Sequence, residues 1–556
     1  MSVEKMSKLV KEDDIHVIHG SKSHEPLSKE AIGKEICKTF QSMQQDAVAM
    51  IDVFTKEKLL YSELFQKSVN LAVKLRQHGY CGQNTILAIC SENCLEFFTP
   101  VYASLFNGSI MAPINHLYTP HELEHALNIS KPKLVFCSAS VLPKLLQLKK
   151  QLNFVEKFIV LVIVNNTFAN TEDVQSMDDF LQNTNISVST FKPFEGVADN
   201  MAALILCSSG TTGLPKGVVL SHQCLNVIFN YSRDPRYKAD SDTHTSLCVL
   251  PLFHAYGLMT CLTGFSMSRT IILFKNFDED IFLKSIQDYK INWLGVAPPL
   301  VVFFAKTQKL NQYDLSSLKG FYCGAAPLSK TTEEQVKKRL NISGIRQAYG
   351  MTETTLGVTG LDSDDMRSGS CGKVLSSIAI KIRDPETGRS LQANNVGEIC
   401  VKAPCVMMGY YQNEQATKDT FTPDGWLKTG DLGYYDEEGY FYIVDRLKEL
   451  IKYKGYQVAP AELESILINH PKIDDTGVVG LPDELVGEKP LAFVVKKAGA
   501  DITEAEIKQF VAGFVSPQKR LTGGVIFLDS IPKNPSGKIL RKELRKIIKN
   551  TLASKL

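Results

Sequence analysis

The run Ala202-Ala203-Leu204-Ile205-Leu206-Cys207, continued by Ser208-Ser209-Gly210-Thr211-Thr212-Gly213-Leu214-Pro215-Lys216-Gly217, decides how the rest of the chain is read. Six apolar residues in a row make a short, fully buried strand. They feed directly into a loop whose two central glycines permit positive φ and a close backbone approach to an anion. Four hydroxyls in the loop can donate to phosphate oxygens, and Lys216 adds a compact positive charge. The pattern is not a Walker A loop, because Gly-Lys-Ser/Thr is absent. A ligand-free Ser/Thr/Gly surface turn is the plain alternative. The buried strand before the loop and the lysine after it favour a phosphate cradle.

Working outward, short apolar runs alternate with amphipathic stretches. Ile159–Val164, Thr270–Phe274 and Trp293–Ala297 read as further buried strands, as does Gly320–Cys323. Asp278–Tyr289 and Thr331–Leu340 have helical spacing. Repeated strand–helix alternation predicts an α/β fold with largely parallel sheets. Toward the C-terminus the pattern changes. Pro460 opens a helix over Ala461–Ile468, and Thr503-Glu504-Ala505-Glu506 is a capping box before a helix ending near Val515. Strands at Thr476–Val479, Leu491–Val495 and Val525–Leu528 complete a small α+β unit. The boundary is expected at Asp445-Arg446, after a strand Tyr440–Val444. With 556 residues the chain exceeds one hydrophobic core, so at least two domains are expected.

Composition narrows the class. The formal net charge is +2 and 22% of residues are charged, which points to neither nucleic acid nor a polybasic membrane anchor. The 13 cysteines lack paired spacing beyond Cys90 and Cys94, so they read as small buried apolar residues of a reducing compartment, without a zinc site or disulfide framework. Met1–Asp14 is polar and unlike a secretory signal. The apolar run Phe158–Val164 is far short of the ~20 residues that span a bilayer. Asn128-Ile129-Ser130 and Asn341-Ile342-Ser343 fit the glycosylation pattern, a match expected to be chance without secretion. The last three residues, Ser554-Lys555-Leu556, form a peroxisomal address, so the import receptor is an expected partner and the peroxisome the expected location.

Four further stretches join the phosphate loop: Tyr349-Gly350-Met351-Thr352-Glu353-Thr354-Thr355, Gly425-Trp426-Leu427-Lys428-Thr429-Gly430-Asp431, Asp445-Arg446-Leu447-Lys448-Glu449-Leu450-Ile451-Lys452 and Pro535-Ser536-Gly537-Lys538. In content and order these five segments resemble the motifs of the adenylate-forming superfamily of acyl-CoA synthetases, 4-coumarate–CoA ligases and beetle luciferases. The chain is most similar to the insect luciferase-like fatty acyl-CoA synthetases. The resemblance implies a large N-terminal domain of layered α/β subdomains (1–444) that holds ATP and acid, a hinge at 445–446, and a small mobile α+β lid (447–556).

It also implies roles. Attack of a carboxylate on the α-phosphate of ATP brings two anions together, so positive charge and Mg²⁺ are needed. Ser208, Ser209, Gly210, Thr211, Thr212, Gly213 and Lys216 would hold the β- and γ-phosphates, Glu353 would serve Mg²⁺ and Thr352 would donate to the α-phosphate. Gly324, Ala325 and Ala326 would underlie the adenine, with Tyr349 stacked on it beside Gly350. Asp431 would accept from the ribose hydroxyls, and Arg446 would approach the same ribose. Lys538 would bridge carboxylate and α-phosphate, and His254 would contact the acyl carboxylate. For thiol attack by coenzyme A, the lid would turn, withdrawing Lys538 and presenting Lys448, Lys452 and Gln457.

The resemblance places Ile228, Tyr231, Tyr256, Thr260, Leu294, Val296 and Leu356 around the acid. Luminous beetle enzymes resemble each other in carrying Arg where this chain has Ile228 and Ser where it has Leu356. Both changes remove polar groups and favour an alkyl chain, at ~0.8 kcal/mol per buried CH₂, over a heteroaromatic luciferin. The expected activity is therefore ATP-dependent formation of a medium- or long-chain fatty acyl-CoA. Luciferin 4-monooxygenase and aryl acid–CoA ligase are the alternative activities. A catalytically dead binding homologue is disfavoured because Lys216, Glu353, Asp431, Arg446, Lys452 and Lys538 are all present.

Overall fold

The computed structural model describes residues 8–12, 15–162, 171–208, 215–237, 245–362, 365, 367–454, 456–483, 485–535 and 537–553. Ser209, Gly210, Thr211, Thr212 and Gly213 of the phosphate loop, Ser536, and the terminal Ser554, Lys555 and Leu556 lie outside the described residues.

The structure is mixed α/β, with a large N-terminal domain and a small C-terminal one. The strand Ala202–Ser208 sits inside an eight-stranded sheet. On one side it runs parallel to Ile110–Pro113, which continues into the parallel strands Ile86–Cys90, Leu134–Cys137, Lys157–Val160 and Val174–Ser176. On the other side it pairs antiparallel with Lys216–Ser221. The run expected at Ile159–Val164 forms its strand two residues earlier and ends at Val160. Leu161 and Val162 leave the sheet, and the rest lies outside the described residues.

Two smaller sheets carry the strands that border the candidate site. Thr245–Cys248, Thr270–Leu273 and Val48–Asp52 are parallel neighbours, with Lys58–Leu60 antiparallel at the edge. Trp293–Val296, Gly320–Cys323 and Gly344–Gln347 form a three-stranded parallel sheet. A six-stranded antiparallel sheet includes Gly397–Lys402, Leu427–Tyr435 and Phe441–Arg446. This last strand runs through Asp445 and Arg446 rather than stopping at Val444, because both residues pair across to Leu432 and Asp431.

The C-terminal part builds its own cores from residues between Ile451 and Ile548. Its long hairpin, Ile473–Asp483 against Gly487–Lys496, is flanked by Ile451–Tyr453 and Gly524–Phe527. Thr503 caps the helix Glu504–Ala512 by the expected reciprocal bonds: its Oγ1 accepts from the Glu506 N–H at 3.3 Å, and Glu506 accepts from the Thr503 N–H at 2.7 Å. Such a cap contributes about 1 kcal/mol. The helix stops at Ala512, three residues short of the expected end. Of the 13 cysteines none is disulfide-bonded and only Cys81 is exposed, as the sequence led us to expect. No described helix is long and apolar enough to cross a membrane.

Candidate active site

The phosphate loop is strung between two antiparallel strands, and its feet face each other: Ser208 is the cross-strand partner of Lys216. The Lys216 ammonium lies 4.7 Å from the centre of the Tyr410 ring. The Tyr410 hydroxyl in turn donates to Glu353 Oε1 at 3.0 Å. One phenol therefore joins the loop lysine to the carboxylate expected to serve Mg²⁺. Burial and the charge of Glu353 both push the Tyr410 hydroxyl above its ordinary range, so it remains a donor. Tyr410 belongs to none of the recognisable motifs; its strand Gly409–Tyr410 reaches Glu353 only because it pairs with Val218 and Val219.

Glu353 is buried on a short 3-10 turn, Thr352–Thr354. Among the described residues no three His, Cys, Asp or Glu side chains converge to hold a metal. A lone carboxylate suits Mg²⁺, which keeps waters and takes its other ligands from phosphates. The turn ends at Thr355 with φ +69°, left-handed backbone that is rare for a β-branched residue. Its Oγ1 donates to the Cys405 carbonyl at 2.7 Å, which holds it there. Ala325, at the cavity wall, likewise has φ +75°. Strain of this kind persists where the surroundings over-determine it, typically around ligands.

Asp431 and Arg446 are cross-strand partners, with Arg446 Nε 3.3 Å from Asp431 Oδ1. The Tyr349 hydroxyl donates to Asp431 Oδ2 at 2.8 Å. A carboxylate offers about four acceptor positions, so two remain for a ligand with paired hydroxyls. Tyr349 thus packs in a core cluster, borders the cavity and orients Asp431 at once.

Lys538 comes to the same place from the C-terminal domain. Its turn is tied at both ends: Asn534 N donates to the Lys538 carbonyl and Gly537 N to the Asn534 carbonyl, each at 2.8 Å. The side-chain Oδ1 of Asn534 also accepts from Lys538 N at 2.8 Å. Gly537 has φ +81°, and a Cβ there would lie 2.4 Å from Pro299 Cγ in the large domain. Only glycine lets the turn approach so closely. Burial, and then the neighbouring Arg446 and Arg541 charges, lower the Lys538 amine to about 7, against the opposing pull of Asp431 and Glu449.

His254 caps the helix Ala255–Ser266, its Nδ1 accepting from Tyr256 N at 3.3 Å. Burial and the charge of Lys538 lower it to about 4, so it is neutral near pH 7. With Nδ1 an acceptor, the proton sits on Nε2, which is free to donate.

A cavity opens between these groups and the two parallel sheets. Gly324, Ala325, Gly350, Thr352 and His254 stand on its wall, as do Tyr231, Tyr256, Thr260 and Leu356. Ile228, Leu294 and Val296 do not line it, contrary to expectation. In the strand Trp293–Val296 the side chains alternate; Trp293 and Gly295 face the cavity while Leu294 and Val296 fill the core behind. Ile228 is wholly buried, turned roughly 100° around its helix from the Val227–Tyr231 stripe. Its contrast with the luminous enzymes therefore says nothing about the acid. Ala326 is also off the wall. Lys448, Lys452 and Gln457 are exposed, Lys452 and Gln457 paired across a surface hairpin away from the cavity.

The chain belongs to the AMP-binding enzyme family, within the adenylate-forming superfamily. The AMP-binding enzyme model matches residues 38–411, and the model for the C-terminal domain of AMP-binding enzymes matches 462–538. Luciferin 4-monooxygenase of Photuris pensylvanica is 43% identical over 96% of this chain and 98% of that protein. Peroxisomal OPC-8:0-CoA ligase 1 of Arabidopsis thaliana is 38% identical over 92% of each. Among solved structures, ATP bound MatB from Rhodopseudomonas palustris aligns with TM-score 0.82 at 27% identity, covering 93% of this chain and 99% of that one. Apo MatB aligns over the same span with TM-score 0.72.

Proposed function

We propose that the chain activates a fatty acid with ATP and passes the acyl group to coenzyme A. The observation that carries this reading is the convergence of Lys538, His254 and the Asp431–Arg446 pair at one end of a cavity large enough to continue away from them. In the first half-reaction a carboxylate oxygen bonds to the α-phosphorus and the bond to the pyrophosphate oxygen breaks. The Lys538 ammonium stands between the two anions, and His254 Nε2–H donates to the acyl carboxylate. Ser208 to Lys216 cradle the departing pyrophosphate, and Thr352 donates to the α-phosphate. Asp431 takes the ribose hydroxyls, and Gly324, Ala325 and Gly350 lie under the base. Bound at Glu353, Mg²⁺ would neutralise phosphate charge.

In the second half-reaction the thiol sulfur attacks the acyl carbon, its proton is lost and AMP leaves. For that step residues 447–556 turn about 445–446, exchanging Lys538 for the Lys448–Gln457 face. The pivot suits the task. Asp445 Oδ2 accepts from Ala461 N at 2.9 Å, filling an otherwise orphaned donor at the start of the helix Pro460–Ile468. The few ties that cross the gap include the exposed Lys306–Asp474 pair at 3.0 Å. Such pairs contribute less than ~1 kcal/mol and yield easily.

Leu356 on the cavity wall supports an alkyl acid over luciferin. Luciferin oxidation is the second reading, favoured by the 43% identity to a luciferase. Light from luciferin and ATP without acyl-CoA formation would select it.

Two results are expected here. Gly537→Ala should slow pyrophosphate release about tenfold, since alanine in left-handed backbone costs about 1–2 kcal/mol before the Pro299 contact is counted. Thioester formation from supplied acyl-adenylate should be unchanged; equal loss in both steps would mean a general folding defect. Deleting Ser554-Lys555-Leu556 from a fluorescent fusion should release it from peroxisomes into the cytosol. Unaltered peroxisomal import would remove that address.

A further inference from the structure

The cavity has two ends of different chemistry. His254, Gly324 and Thr352 mark the end where Lys538 enters, beyond the C-terminal ends of the parallel strands. Arg269, Ser246 and Trp293 mark the other, at the strands' N-terminal ends: Arg269 immediately precedes Thr270–Leu273, and Trp293 opens Trp293–Val296. A four-residue strand at ~3.3 Å per residue separates the two ends by about 10 Å or more.

The far end has an excess of donors. The backbone of Arg269 is engaged, its carbonyl accepting from Tyr61 and its N–H donating to Gly264. Among the described residues its guanidinium has no hydrogen bond or ion pair, and the nearby Tyr322 is the one group whose charge bears on it. Burial disfavours the charge, yet a guanidinium remains protonated. Trp293 Nε1 also lacks an acceptor among the described residues. Arg346, on the same wall, stacks 4.3 Å from the Trp293 ring and donates to Tyr322 Oη at 3.3 Å. No Asp or Glu stands among the described residues lining the cavity. A half-buried cation with no counter-ion among the described residues is costly, and a ligand anion removes that cost.

We propose that Arg269 receives a distal carboxylate, so that the favoured acid is an α,ω-dicarboxylic fatty acid, one carboxylate activated beside Lys538 and the other paired with Arg269. This rests on the acid-activation reading above and narrows its substrate class. The test is pyrophosphate release by the full chain with ATP, Mg²⁺ and coenzyme A. It compares, at each of several lengths, the monoacid, the diacid and the diacid's monomethyl ester. At the best length the diacid should exceed both others at least tenfold in kcat/KM. Arg269→Met should lower the diacid at least tenfold and leave the monoacid unchanged, while Arg269→Lys should retain most of the preference. Monoacid turnover without a diacid preference in the unaltered protein overturns this proposal alone. So does equal loss on both acids in Arg269→Met. The ester comparison needs no variant, so it separates the outcomes even where a substituted chain misfolds. Absence of pyrophosphate with every acid would overturn the activation reading itself, and this proposal with it.

Discussion

Replacing Lys538 by alanine is expected to slow adenylate formation by about 10²–10³-fold, the size of effect seen when one preorganised donor to a developing charge is removed. Among the described residues its amine is the only one that the C-terminal domain inserts beside Arg446, Asp431 and His254, and its turn has been shaped to bring it there. Transfer of a supplied acyl-adenylate to coenzyme A should be spared, because the proposed lid rotation withdraws this lysine before thiol attack. Pyrophosphate release and thioester formation, measured separately, decide the matter; equal loss in both would assign Lys538 a structural role. Its pH dependence has a definite sign. The amine titrates near 7 in the free protein, so kcat/KM for ATP should fall as pH rises through about 7. Bound phosphates favour the ammonium, so the corresponding limb of kcat should lie at higher pH, and Lys538→Arg should abolish both limbs. Stability moves oppositely. Between about 7 and the ordinary lysine value near ~10.4, the unfolded chain holds the proton that the folded chain has released. Stability from this group therefore rises with pH across that window and is flat below it.

The second large effect is expected at Asp431. Asp431→Ala removes the acceptor of the Tyr349 hydroxyl and the counter-ion of Arg446, and takes away the proposed ribose contact. Two charge-assisted hydrogen bonds at about 1.5–3 kcal/mol each set the scale, so the KM for ATP should rise on the order of 10²-fold or more. Arg446 would then stand unopposed beside Lys538 and lower its amine further, shifting the alkaline limb of kcat/KM to lower pH. Asp431→Asn keeps the shape and loses the charge, so it should show the same pH shift with a smaller KM change. An unchanged KM for ATP in Asp431→Ala would contradict the ribose assignment.

What the sequence disclosed follows from how local each feature is. The strand Ala202–Ser208, the Thr503 capping box and the Pro460 helix start depend on neighbours within a few residues, and all were legible. The ends of elements were less so: Arg446 stays in its strand because Asp431 pairs with it, a fact that lies fifteen residues away. The side-chain face of Trp293–Val296 was misread for a related reason. A short apolar strand covered on both sides carries no period-2 mark, so only packing shows that Trp293 and Gly295 turn to the cavity. Ile228 was placed on the wall by resemblance and is instead buried in its helix. Tyr410 and Arg269 carried no signal at all. Each acts through tertiary placement: Tyr410 between Lys216 and Glu353, Arg269 at the foot of a strand whose top is His254's neighbourhood. Lys452 and Gln457 were expected at the nucleotide only once the lid has turned, and their exposure in the arrangement that brings in Lys538 leaves that expectation untouched.

The central claim, that this chain joins fatty acids to coenzyme A through an adenylate, is tested most directly by one assay. Purified protein is incubated with ATP, Mg²⁺, coenzyme A and fatty acids of medium to long chain, while pyrophosphate and acyl-CoA are quantified and a parallel sample with luciferin is read for light. The account predicts pyrophosphate and acyl-CoA in equal amounts, with little light. Strong light without acyl-CoA, or no pyrophosphate with any acid, would contradict it.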